Sequence, residues 1–358
     1  MKRQAKPRRV LVSLGKSAPG DGGIFEFSSQ LVRRILQAAP AWRERWNIEF
    51  NFHLRPGLVG HFGPEPIYLP LVRLQRLIHL QPHRFEMWHS LNQLNLYRPP
   101  HGCPRRLVTV HDLNYLYDQG GWQTWREHRR TRGLVARADH LVAISQYTAS
   151  DIREHLGWRG PVEVIYNGAT NLSQRQQEAL PGVDPARPFL LHLSRMAPSK
   201  NPQAILNLAR EWPEMTFLMC GASSADAEAL ARANDLPNVR FHLYLSEAHK
   251  AWAYAHCAGF LFPSLAEGFG LPPLEAMHFG KPVFLARRTC LPEIGGSVAD
   301  YFDDFDPATM RRVVEQGLRR HEQPSQVQAL RDHAARFDWD RTAQAYLSLY
   351  ARLLGLAP

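Results

Sequence analysis

Short apolar runs recur along the chain, each closed by a glycine, a proline or a polar cluster and followed by a stretch of helical period. In the first half the runs at 10–14, 48–52, 107–110, 141–144 and 162–166 predict strands, and helical patterns fall between them at 25–39, 122–138 and 147–156. The second half predicts strands at 189–193, 216–220, 239–243, 259–262 and 282–285. Helices are expected at about 203–212, at 308–319 and in a tail that ends near residue 354. Apolar strands alternating with helices are the pattern of parallel sheets with crossover helices, an α/β architecture. No internal repeat or low-complexity segment interrupts it.

Length refines this picture. A chain of 358 residues is too long for one ordinary core and fits two domains. The junction is expected at 171–187, polar at its start and bearing Pro and Gly at its end, between domains at 1–170 and 188–336. No run approaches the roughly 18 apolar residues a spanning helix needs. The basic stretch 2–9 precedes an apolar run too short for a signal peptide, so residues 10–14 read as a first buried strand. Cys103, Cys220, Cys257 and Cys290 lack metal-ligand spacing, and reduced core thiols of a cytoplasmic protein are the simplest account.

The net charge of +10 is uneven. Residues 1–180 hold 25 Lys and Arg against 14 Asp and Glu; the remainder holds 18 against 19. Basic residues concentrate at 2–9, at Arg33-Arg34 and at 126–137. No nucleic-acid motif accompanies them, which leaves an anionic membrane leaflet as the favoured partner and nucleic acid as an expected non-partner.

The densest candidate chemistry lies at 262–277. The strand at 259–262 enters a loop with a carboxylate, Glu267, and then Gly268-Phe269-Gly270, whose backbone can approach a ligand closely. Pro272 or Pro273 suits a helix opening, with Glu275 expected in the first turn. Two acids flanking backbone N–H groups at a helix start suit a ligand anionic at one end and hydroxyl-rich at the other, such as a nucleotide-sugar. A cationic element lies upstream, where the strand at 189–193 runs into Arg195 and Lys200 before the next helix. A guanidinium grips phosphate oxygens and a lysine adds a point charge. In an open α/β sheet such strand-end loops are where ligands bind. Asp304-Phe305-Asp306 could hold a divalent cation, but Asp306 ahead of Pro307 reads better as a helix cap, so no metal is expected. Phosphate charge already has Arg195 and Lys200 to meet it.

Ser194-Arg195 with Lys200-Asn201, and the pair Glu267 and Glu275 inside EGFGLPPLEAM, resemble the retaining glycosyltransferases of family GT4. Val164-Ile165-Tyr166-Asn167-Gly168, Gly22-Gly23 and Thr109-Val110-His111-Asp112-Leu113 extend the resemblance over most of the chain. It implies the GT-B fold, two Rossmann-like parallel-sheet domains facing across a cleft, with a C-terminal helix (337–358) crossing back to the first domain. It implies transfer of a hexose from a UDP- or GDP-linked sugar, with no cofactor beyond that donor substrate. By resemblance His111 faces the donor sugar, while Gly22 and Gly23 let a loop approach the diphosphate or acceptor. Arg195 and Lys200 meet the leaving diphosphate, Glu267 with Gly268, Phe269, Gly270 and Leu271 holds the donor, and Glu275 binds ribose hydroxyls. Tyr244 and Leu245 are placed at the base by position alone, and Trp88-His89-Ser90 is an acceptor-side candidate.

A basic transferase without an export signal suggests a lipid-linked glycan acceptor at the cytoplasmic face of a bacterial inner membrane, in lipopolysaccharide or surface-polysaccharide assembly. The alternatives are a soluble transferase making a storage glucan or small glycoside, a nucleotide-sugar epimerase, and a non-catalytic nucleotide-sugar-binding partner.

Overall fold

The computed structural model describes residues 6–117, 121–221 and 225–356. The chain divides into two compact units, Met1–Gly168 with Trp339–Pro358, and Ala169–Asp338.

The first unit carries β1 (Arg8–Ser13), α1 (Gly23–Trp46), β2 (Ile48–Leu54), β3 (Ile67–Pro70), β4 (Met87–Ser90), β5 (Arg106–Val110), α2 (Trp122–Val135), β6 (His140–Ala143), α3 (Gln146–His155) and β7 (Val162–Val164). Its strands form one seven-stranded sheet in the order β3-β2-β1-β4-β5-β6-β7. Every pairing is parallel. Val10, Leu11 and Val12 are buried in succession, as a central parallel strand covered on both faces requires. β3 and β4 escape the apolar pattern because β3 is a half-exposed edge and β4 mixes Met and Trp with His and Ser.

α1 runs beyond the expected stop at 39, straight through Pro40. Proline there removes one hydrogen bond. The extra turns are held by aromatic packing: Trp42 lies 5.4 Å from Phe50 and 4.9 Å from Trp46, ring centre to ring centre. Asn47 then ends the helix in the left-handed conformation that Asn tolerates.

The second unit carries β8 (Phe189–Leu193), α4 (Pro202–Glu211), β9 (Thr216–Gly221), α5 (Ala225–Ala233), β10 (Val239–Leu243), α6 (Glu247–His256), β11 (Gly259–Phe262), α7 (Leu271–His278), β12 (Val283–Ala286), α8 (Leu291–Gly295), β13 (Asp300–Phe302), α9 (Pro307–Arg320) and α10 (Pro324–Ala334). Its six strands run β10-β9-β8-β11-β12-β13, again all parallel. Residues 171–187, expected as a linker, belong to this unit, where the Glu178 amide donates to Ala248 O at 3.2 Å.

The last helix, α11 (Trp339–Leu353), returns to the first unit. Tyr350 OH lies 2.5 Å from His89 Nδ1, and Tyr346 OH lies 2.9 Å from Thr109 Oγ1. His89 Nε2 also meets Thr109 Oγ1 at 2.9 Å. This buried knot fastens α11 to β4 and β5. It also corrects the acceptor-side reading of His89, whose fully buried ring is occupied on both nitrogens and pushed down to about 3 by burial. No described helix is long and apolar enough to cross a membrane.

Candidate active site

In the second unit the strand order reverses between β8 and β11. Crevices beyond the carboxyl ends of strands at such a reversal are where open α/β sheets take ligands. The loops that follow β8 and β11 are stitched together there. Leu265 N donates to Ser199 O at 2.7 Å, and Ser264 Oγ lies 3.1 Å from the same oxygen. Across this seam Lys200 Nζ donates to Glu267 Oε1 at 2.6 Å, both side chains being nearly buried. Ser264 Oγ touches that same carboxylate oxygen at 2.7 Å. Two opposite charges withdrawn from water are tolerated only when paired and hydrogen-bonded, as here.

Three further groups fix the Glu267 loop from below. Glu267 N donates to Thr289 Oγ1 at 3.2 Å, and Thr289 itself adopts φ +50°, a strained value for a β-branched residue. The Cys290 thiol, kept protonated by complete burial, lies 3.3 Å from Glu267 O and 3.2 Å from Phe269 O. Gly270 has φ +102°, and a Cβ there would press on Leu291 at 3.0 Å. The loop is thus built from both sides. Phe269 turns its ring inward against Phe337, so only its backbone remains for a ligand.

α7 begins at Leu271 with Pro272 and Pro273 following, which removes two of the donors expected at its start. Glu275 is the fifth residue of α7, one turn in, and not in the first turn as expected. Its Oε2 accepts from Tyr254 OH at 2.8 Å. Tyr254 is fully buried on α6, and burial beside the Glu275 carboxylate holds its phenol well above the usual range, so it stays a donor.

The β8 loop is shaped by His192. Its Nδ1 donates to Leu261 O at 2.9 Å, and its Nε2 meets Ser194 Oγ at 2.8 Å. Burial pushes His192 down to about 4, which keeps the ring neutral and the tautomer fixed. Ser194 Oγ then accepts from Met196 N at 3.0 Å. Arg195 is exposed on this loop. Gly221 ends β9 so close by that a Cβ would lie 1.7 Å from Ser194 O. Tyr244 N donates to Gly221 O at 3.0 Å; Tyr244 has φ +76° and is 77% exposed, with Leu245 half-buried after it.

The structure therefore brings Lys200 and Glu267 into contact, sets Arg195 and residues 268–270 on their two loops, and places Leu271 and Glu275 on α7. His192, Tyr254, Ser264, Thr289 and Cys290 were not legible as site residues. His192 and Ser264 had a weak signal, being polar residues inside or just after apolar strands; the others had none. Asp306 accepts from Thr309 N at 2.9 Å and caps α9, as its position before proline suggested.

Gly22, Gly23 and His111 lie in the first unit. Gly22 precedes α1 with φ +62°, is exposed, and has nothing within 4 Å of a notional Cβ. Its glycine is thus demanded by backbone conformation and not by crowding. His111 follows β5, is buried, and its Nε2 donates to Leu91 O at 2.8 Å while its amide donates to Gln93 Oε1 at 3.0 Å. Burial lowers it to about 4. At neutral pH it is an uncharged ring with its lone pair on Nδ1.

Two family models match the chain: residues 24–170 match "Glycosyltransferase Family 4" and residues 173–299 match "Glycosyl transferases group 1". The serotype-specific mannosyltransferase WbdA of Escherichia coli is 29% identical over 290 residues, covering 72% of this chain and 34% of that protein. The O-antigen chain mannosyltransferase B of Escherichia coli is 22% identical over 311 residues, covering 79% of this chain and 80% of that one. The chain thus spans about a third of the length of the first curated relatives it matches. Among solved structures, a sucrose-phosphate synthase from Thermosynechococcus elongatus superposes with a TM-score of 0.69 at 18% identity, over 97% of this chain and 99% of that one.

Proposed function

The chain belongs to glycosyltransferase family 4, with the GT-B fold, and on that footing we propose that it transfers a hexose from a nucleotide-diphosphate sugar to a glycan acceptor with retention at the anomeric carbon. The observation that carries this reading is the Lys200–Glu267 pair at the sheet reversal, 2.6 Å long and flanked by Arg195 and a glycine loop. Arg195 and Lys200 stabilise the charge that grows on the departing diphosphate, which is electrostatic catalysis by cations already in place. Glu267 and the backbone of Gly268, Phe269 and Gly270 hold the sugar, and Leu271 continues that wall. Glu275, oriented by Tyr254, accepts from ribose hydroxyls. Tyr244 and Leu245 sit at the strand-end loop assigned to the base.

His111 serves as a neutral hydrogen-bond acceptor toward a sugar hydroxyl, since its pKa of about 4 leaves no proton to give at neutral pH. Gly22, with φ +62°, gives the loop after β1 the backbone freedom to approach a ligand, whereas Gly23, expected in that loop, is the first residue of α1. Two cations suffice for the diphosphate, so the proposed reaction needs no metal. Relatives named as mannosyltransferases of O-antigen make a mannosyl donor and a surface-polysaccharide acceptor the first to try. The proposed acceptor is lipid-linked, reached by peripheral contact with the cytoplasmic leaflet, which the excess of cations in the first half supports.

A melting-point screen with UDP, GDP and ADP tests the donor, because a ligand that binds only the folded state raises the transition. Product analysis by proton NMR of the new glycosidic bond tests retention. A protein stabilised by none of the three nucleotides would not be using such a donor.

A further inference from the structure

A cavity of about 500 Å³ opens on the first unit between α2 and the segments around residues 76 and 97. Six arginines line it: Arg76, Arg98, Arg126, Arg129, Arg130 and Arg137. Among the described residues, no lining residue is acidic. Trp122 and Trp125 form one wall, stacked on each other at 4.6 Å and exposed by 67% and 47%. Arg129 lies over the Trp125 ring at 5.4 Å, and Arg76 over Tyr97 at 5.4 Å. These planar stackings fix two of the guanidiniums, Arg76 and Arg129, at the cavity wall.

The ground beside the cavity is apolar and equally exposed. Arg98 Nε donates to Arg76 O at 3.2 Å, tying the cavity to the 72–80 segment. That segment presents Val72, Leu74, Leu77, Ile78 and Leu80, of which Leu74, Leu77 and Leu80 are 63%, 65% and 70% exposed. No acidic residue occurs between Glu65 and Glu86. The segment is not loosely attached. Buried Gln75 receives His53 Nε2 at 3.0 Å and the Val72 amide at 2.7 Å, and His79 Nδ1 donates to Arg98 O at 2.7 Å. A firmly anchored stretch that points five aliphatic side chains at water is not a folding remnant but a face with a partner.

We infer that this face, the arginine cavity with its tryptophan wall and the aliphatic rim at 72–80, is the surface by which the protein docks on an anionic lipid bilayer. The mixture selects that partner. A free phosphate or a polynucleotide would use the arginines but leave the aliphatic rim in water, whereas a bilayer takes lipid phosphates on the cations, indoles at the headgroup level and aliphatic side chains below them. The inference rests on the proposal of peripheral membrane contact and gives it a location; it does not depend on glycosyl transfer.

Sedimentation of the full chain with vesicles tests it, comparing pure phosphatidylcholine with a mixture containing about one-third phosphatidylglycerol at roughly 0.1 M and 1 M salt. Binding is expected only to the anionic vesicles and mainly at low salt. Arg126→Gln/Arg129→Gln/Arg130→Gln should weaken the partition about a hundredfold. Trp122→Ala/Trp125→Ala should weaken it at unchanged charge, and both variants should keep the parent melting temperature. If the parent binds and neither variant is weaker, the surface assignment falls while membrane contact stands. If the parent ignores anionic vesicles, membrane contact falls with it. Stabilisation by inorganic pyrophosphate that the arginine variant abolishes, without vesicle binding, would make the cavity a free-phosphate site and overturn the inference.

Discussion

Lys200 and Glu267, 67 residues apart in sequence, share a hydrogen-bonded ion pair of 2.6 Å at the place where the second sheet reverses its strand order. Neither charge has a structural need to be there: two apolar side chains of similar volume would fill the space with less desolvation. Under the proposed function, substrate opens this pair, releasing the cation to a phosphate and the acid to a hydroxyl. Lys200→Ala leaves Glu267 buried without its cation, and should cost about 3 kcal/mol of stability along with orders of magnitude in turnover. Lys200→Met/Glu267→Gln should recover most of the stability and none of the activity. Chemical denaturation read beside donor turnover checks both. Recovery of activity in the double variant would make the pair structural only.

Tyr254 donates to Glu275 at 2.8 Å, so under the proposed function it acts on the donor through that carboxylate. Removing its hydroxyl leaves a packed ring and one orphaned acceptor, so Tyr254→Phe should cost about 1 kcal/mol of stability. Its effect on turnover should fall on KM for the donor, several-fold, with little change in kcat. Glu275→Ala, by contrast, removes the acceptor itself and should cut donor turnover by orders of magnitude. Steady-state kinetics with the identified donor separates the two patterns.

The first and second units differ in how much the amino-acid order disclosed. Runs such as Phe189–Leu193 and Gly259–Phe262 are apolar throughout because their sheet is covered on both faces, and that continuity is visible in sequence. Lys200 and Glu267 were legible because each lies in the loop after such a run, Glu267 beside a glycine and Lys200 two residues from a proline on either side. Tyr254, Thr289 and Cys290 were not, since their importance lies in distances across the fold: Thr289 serves Glu267 from 22 residues away through a backbone amide. α1 outlasted its expected end because the aromatic contacts of Trp42 and Trp46 outweigh one missing hydrogen bond at Pro40. His89 looked like a strand-end ligand, and only the return of α11 shows that its ring is spent on Tyr350 and Thr109.

Four histidines, His53, His89, His111 and His192, are buried and pushed down to about 4, 3, 4 and 4 from an ordinary value near 6.5. Each binds its proton in the unfolded chain before it does so in the folded one. Stability is therefore full above about pH 6.5 and is lost as pH falls toward 4, where the unfolded state holds more protons. Denaturant midpoints measured across that window should fall steeply. His192→Gln, which can still donate to Leu261 O, should flatten the slope. A stability that is level between pH 6.5 and 4.5 would contradict the neutral assignment of these rings.

Gly221 marks how closely the β8 and β9 ends must approach to form the crevice. A methyl group there would lie 1.7 Å from Ser194 O, a backbone atom that cannot rotate away. Gly221→Ala must therefore push apart two adjacent central strands or the loop carrying Arg195, and it is expected to lower the melting temperature by more than about 5 °C. What survives should have lost nucleotide-induced stabilisation, because the loop bearing Ser194 and Arg195 is displaced. Gly22→Ala is the comparison: φ is +62° but nothing lies within 4 Å, so only backbone strain of about 1–2 kcal/mol applies. Nucleotide binding by the second unit should be untouched in that variant. Equal melting points for the two substitutions would mean that the approach of Gly221 to Ser194 O is not what holds the crevice in shape.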